Sequence, residues 1–112
     1  MRWKSLVFAL LLAPPALADA PQVLAARLDG MTLHVTVAHG DTGWDHYADG
    51  WRVFAPDGTE IGYRKLLHPH VAEQPFTRSL SGLALPDGVS HLVIIAHDSI
   101  HGDGPPFELP LQ

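Results

Sequence analysis

The feature that most constrains this chain is a two-residue alternation of apolar and polar side chains. It recurs in runs too short for helices and is cut each time by turn residues. Met31 to Ala38 shows the pattern: Leu33, Val35 and Val37 fall on one parity, and Thr32, His34 and Thr36 on the other. Successive side chains of a strand point to opposite faces, so such a run buries one face and leaves the other wet. Gln22 to Leu28 reads as a strand before it, closed by the hairpin pair Asp29-Gly30. Trp51 to Ala55 reads as a third strand, ended by Pro56-Asp57-Gly58, and Thr59 to Leu66 as a fourth. Phe76 to Leu80 is a fifth, and Pro86-Asp87-Gly88 turns the chain again. His91 to Ala96 is apolar almost throughout and is expected to be the most buried strand. Phe107, Leu109 and Leu111 alternate in a last strand, which Pro105, Pro106 and Pro110 assign to a sheet edge.

Seven short strands without a helical period predict an all-β domain, a seven-stranded immunoglobulin-like β-sandwich, with a small open barrel as the alternative. Trp51, early in the third strand, suits the large core residue that such sandwiches bury. The domain is expected to span residues 19–112. Residues 1–18 read as a cleaved signal peptide: Arg2 and Lys4, a short apolar run, then Ala16-Leu17-Ala18. That run is too short to span a membrane, and no later one is longer. The leader is of the bacterial secretory kind, so the expected location is the periplasm or the exterior. Losing Arg2 and Lys4 takes the formal charge from −5 to −7 with histidines neutral. An acidic surface argues against nucleic acid and anionic lipid as partners. The absence of cysteine excludes disulfides, thiolate ligands and cysteine catalysis.

Six of the eight histidines fall in three segments that alternate along the chain: His39 to Gly50, Leu67 to Pro75 and His97 to Pro106. In a seven-stranded sandwich alternate loops emerge at one end, so the histidines are expected to gather there as a metal site. In the first segment Asp45 and His46 are candidate ligands, with Trp44 and Tyr47 anchoring the loop. In the second, proline stiffens His68-Pro69-His70, and both rings of an extended chain lie on one side. In the third, Asp98 and His101 lie three apart across a turn, while His97 has the opposite parity and points away. An inward Arg78 needs a carboxylate, for which Glu73, Asp98 and Asp45 are candidates. His34 and His91 read as structural or exposed. No activated serine setting and no phosphate-binding glycine loop is present.

Asp45-His46-Tyr47-Ala48-Asp49-Gly50-Trp51 and Asp98-Ser99-Ile100-His101-Gly102 resemble two segments of the superoxide reductase family, the neelaredoxins and desulfoferrodoxins. That family uses an immunoglobulin-like domain, and the resemblance implies His46 and His101 as metal ligands. The family's cysteine falls at Asp98, and a carboxylate does not tune iron as a thiolate does. The phrases GWDHYAD, LLHPHVAEQPFTRSLSG and AHDSIHG are also similar to small exported bacterial proteins of unknown function.

These readings predict a periplasmic protein holding one divalent ion, Cu(II), Zn(II) or Fe(II), through His46, His68, His70 and His101. Asp98 and Asp45 would be ligands or partners of ligands. Redox or hydrolytic activity requires that one coordination position stay open. The alternative is a metal-free module that binds another exported protein by its loop end or an edge strand.

Overall fold

The computed structural model describes residues 20–111, and the expected leader lies outside the described residues. Eight strands follow one another: β1 (Gln22–Asp29), β2 (Thr32–Ala38), β3 (Ala48–Phe54), β4 (Glu60–Lys65), β5 (Phe76–Leu80), β6 (His91–Asp98), β7 (Gly102–Asp103) and β8 (Phe107–Pro110). One sheet runs β1-β2-β5; the other runs β4-β3-β6-β7, with β8 also paired to β6. All pairs are antiparallel. The chain changes sheet after β2, after β4 and after β5, which is the connectivity of an immunoglobulin-like sandwich. The eighth strand is the two-residue β7, too short to carry an alternation signal.

The turns form where the sequence places them. Gly30 closes the β1–β2 hairpin at φ 63° and Gly58 the β3–β4 turn at φ 93°, both left-handed conformations that glycine adopts without strain. Between the sheets, Leu33, Val35 and Val37 of β2 face Trp51 and Val53 of β3 and the inward residues of β6, all fully buried. Strand β6 differs from expectation. Leu92, Ile94 and Ala96 point inward, but Val93 and Ile95 lie half-buried on the outer face. An antiparallel sheet covered on one side leaves the other toward water, whatever its composition. Strand β8 pairs only with β6, as its prolines require. No helix among the described residues is long and apolar enough to cross a membrane.

The connections β2–β3 (39–47), β4–β5 (66–75) and β6–β7 (99–101) leave from the same end of the sandwich, as the alternation of loops predicts. They are tied to one another. The His39 N–H donates to Gln74 Oε1 at 2.9 Å, the Leu66 N–H to the Asp49 carbonyl at 3.0 Å, and the Ser99 N–H to the Tyr47 carbonyl at 2.9 Å.

Candidate metal centre

Strand parity delivers the first donors. The inward set Leu33, Val35 and Val37 extends by two residues to His39, and the inward set Leu92, Ile94 and Ala96 extends to Asp98. Both side chains are buried at the sandwich end, with 1% and 0% of their surface exposed. Asp41, also buried, orients the histidine. Its Oδ1 accepts from His39 Nδ1 at 2.5 Å and from the Ala48 N–H at 3.0 Å, and its Oδ2 accepts from the His70 N–H at 2.7 Å. With Nδ1 held this way, His39 turns Nε2 toward Asp98 Oδ2, 3.4 Å away. Such a carboxylate behind an imidazole fixes the ring and its tautomer for a ligand on the other nitrogen.

His46 reaches the same oxygen from the β2–β3 loop, with Nε2 2.8 Å from Asp98 Oδ2. Its loop is braced by Thr42 N–H to the His46 carbonyl and Tyr47 N–H to Ser99 Oγ. Asp98 Oδ1 accepts from the Ile100 N–H at 3.1 Å. Burial pushes the Asp98 carboxyl up. The Ile100 N–H and the His46 and His39 imidazoles outweigh burial and hold it below the usual carboxylate range. One ligand atom each from His39, His46 and Asp98 lies within 4.8 Å of the others. Two donors on one tetrahedral ion at Zn–N distances stand about 3.3 Å apart, and the 3.4 and 2.8 Å separations bracket that value. The donor set is all nitrogen and oxygen, which suits a divalent ion. Buried on the core side, the cluster opens toward His46, whose side chain is 23% exposed. The ring of the exposed His101 stands edge-on to His46, centroids 5.1 Å apart.

The remaining expected site residues lie elsewhere. His68 and His70 approach each other, centroids 4.5 Å apart, as the proline between them requires. The buried His70 ring stacks on Phe76 at 3.9 Å, and its Nε2 accepts from Arg78 at 2.8 Å. Burial, then the Arg78 cation, pushes the His70 imidazole below its ordinary 6.5. Arg78 finds Glu73 at 4.0 Å rather than Asp98 or Asp45. Asp45 is exposed on the loop and stands outside the His39, His46 and Asp98 group. His97 points outward, as its parity predicts, and bonds Asp49 at 2.6 Å. His34 bonds Ser79, and His91 pairs with Glu108. Sequence reasoning left out His39 and Asp41 as site residues. The signal was present: both continue the inward parity of β2 beyond its last ladder residue.

No family profile matches the chain. A protein of Halomicrobium mukohataei described as a "Putative lipoprotein" is 44% identical over 70 residues, 62% of this chain and 34% of that protein. The chain thus spans about a third of the length of the curated relative it matches. Among solved structures, the superoxide reductase from Nanoarchaeum equitans superposes with a TM-score of 0.50 at 16% identity, covering 83% of this chain and 92% of that one. A superoxide reductase (neelaredoxin) from Ignicoccus hospitalis gives 0.50 at 18% identity, covering 87% and 83%. At such identities the likeness is one of fold, and it agrees with the immunoglobulin-like sandwich described above.

Proposed function

We propose that this chain is an exported metal-binding protein whose ion is held by His39, His46 and Asp98. His101 would supply a further ligand from the β6–β7 turn. The observation that carries this reading is the convergence of two imidazole Nε2 atoms on one buried carboxylate oxygen, with Asp41 already fixing the His39 ring. Cu(II), Zn(II) and Fe(II) suit such donors. The solvent-facing side at His46 would leave a coordination position for water or an exogenous ligand. Residues near the ion then bind and orient it, while His68, His70 and Asp45 stand outside the ligand set and shape the loop end. The leader-like residues 1–18 and the description of the curated relative as a lipoprotein support export to the periplasm.

The test is metal analysis of the mature protein purified from the periplasmic fraction. About one ion per chain is expected, lost in His39→Ala, His46→Ala and Asp98→Ala and retained in His34→Ala. Added metal should raise the melting temperature of the apo protein, because binding to the folded state alone stabilises it. Metal-free protein whose melting temperature ignores Cu(II), Zn(II) and Fe(II) would overturn the proposal.

A further inference from the structure

The β2–β5 ladder stops just short of the candidate centre. Its last paired residues at this end are Val37 and Phe76. Continuing the same register by two residues sets Gln74 across from His39. The two are joined there by a side chain: Gln74 Oε1 accepts from the His39 N–H at 2.9 Å. The other end of the same amide is also used, since Gln74 Nε2 donates to the His70 carbonyl at 2.9 Å.

These two bonds complete a circuit with two already described. His70 gives its N–H to Asp41 Oδ2 at 2.7 Å, and Asp41 Oδ1 accepts from His39 Nδ1 at 2.5 Å. The path runs from His39 to Gln74, to His70, to Asp41 and back to His39. It ties residues 35 and 29 positions apart in the chain. Gln74 holds the His39 backbone and Asp41 holds its ring. Where His39 Nε2 stands depends on both, and linked hydrogen bonds of this kind strengthen one another.

His70 is the fixed point of the circuit. Its ring is stacked on Phe76 at 3.9 Å and accepts from Arg78 at 2.8 Å, while both of its backbone groups enter the circuit. The segment His68-Pro69-His70 thus serves the centre without supplying a ligand. The residue that bridges it to His39 must carry a donor and an acceptor at one tip. Among uncharged side chains only the amides carry the two on separate atoms, and Asn is one methylene shorter.

We infer that Gln74 is a positioning residue for the candidate centre, setting through the His39 backbone where Nε2 of that ring stands. That Nε2 ligates an ion rests on the metal-binding reading; that Gln74 places it does not. Gln74 is exposed on its outer side, so replacing it leaves the buried core untouched.

The experiment uses nitrogen-labelled mature protein, first metal-free at a pH where histidines are neutral, then titrated with Zn(II). Gln74→Met keeps the length of the side chain and removes both polar atoms. Thr77→Val is the control: it removes the Thr36–Thr77 hydrogen bond of the same strand pair, away from the circuit. In the metal-free parent the His39 ring should be one tautomer, with its proton on Nδ1. Gln74→Met should mix the tautomers and speed exchange of the His70 N–H, a group that Gln74 does not touch. Zn(II) affinity should fall about tenfold, the low end for a group that orients a ligand, and stay unchanged in Thr77→Val. By reciprocity, Zn(II) should slow exchange of the His70 N–H in the parent. An unchanged His39 ring, unchanged His70 exchange or unchanged Zn(II) affinity in Gln74→Met would overturn the inference. So would an equal loss of affinity in Thr77→Val. A parent that binds no Zn(II) would count against the metal-binding reading, and the metal-free ring and exchange measurements would still decide the role of Gln74.

Discussion

Asp41→Asn tests whether one carboxylate organises the loop end. The aspartate accepts three hydrogen bonds: from His39 Nδ1 and the Ala48 N–H on Oδ1, and from the His70 N–H on Oδ2. An asparagine offers one carbonyl oxygen and one NH2 group. If its oxygen takes the Oδ1 position, the amide nitrogen faces the His70 N–H, donor against donor. If it takes the Oδ2 position, two donors lose their acceptor. An unsatisfied buried polar group costs about 1–3 kcal/mol, and a lost hydrogen bond to a charged group costs about as much again. The substitution should therefore cost about 2–5 kcal/mol. For a domain of this size each kcal/mol lowers the melting temperature by about 4–8 °C, so a fall of at least about 8 °C is expected. Urea and thermal unfolding of the apo protein followed by circular dichroism give both quantities. Asp45→Asn, on the exposed part of the same loop, should stay within about 0.5 kcal/mol of the parent. Metal affinity should fall about 10–100-fold in Asp41→Asn, because the His39 ring loses its orienting partner. An apo protein as stable as the parent would refute the three-bond role of Asp41.

Other consequences are equally direct. The His70 imidazole should titrate below 6.5 by NMR, since burial and then Arg78 disfavour its charge. Its folded pKa is depressed, so this contribution to stability is complete above about pH 6.5 and is lost as pH falls through the folded value. Arg78→Met should move the midpoint up and flatten that slope; a His70 midpoint at or above 6.5 in the parent would contradict the account. Gly50→Ala should destabilise by about 1–3 kcal/mol. A β-carbon there would lie 2.9 Å from Tyr63 Cε1 and 3.1 Å from the Arg64 carbonyl oxygen. Unchanged denaturant midpoints would mean that Tyr63 swings away freely. His68→Ala should keep its metal where His39→Ala loses it, measured as bound ion per chain after dialysis. Equal loss in both would place His68 among the ligands.

The fold was legible because alternation, turn glycines and edge prolines all pointed to the same strands. Legibility of the site followed the same rule. Asp98 is readable from β6, and His39 and Asp41 from β2, because each continues an inward parity. His46 and His101 lie where the chain has left the ladder, so period gives no direction, and the clustering of histidines on alternate loops together with the resemblance singled them out. The two acidic residues of the first loop show the limit. Asp41 and Asp45 share the same parity, but the chain turns at the Gly43–His46 bridge between them, so Asp41 is buried against three donors and Asp45 faces water. His68-Pro69-His70 shows a second limit. Local stiffness did bring the rings together, but Phe76 and Arg78, on the strand β5 that follows the loop, claimed His70.

The neighbours His97 and Asp98 occupy opposite faces of β6, one against Asp49 outside and the other beneath two imidazoles inside. A frame shift of one residue in the β3–β6 ladder would exchange them, because every side chain of a slipped strand changes face. The interior would then hold three imidazoles with Asp41 as its one carboxylate, a softer and less charged nest. The pairing frame of the sheet therefore writes the ligand chemistry, and an insertion or deletion in β6 would rewrite it without replacing any histidine or aspartate.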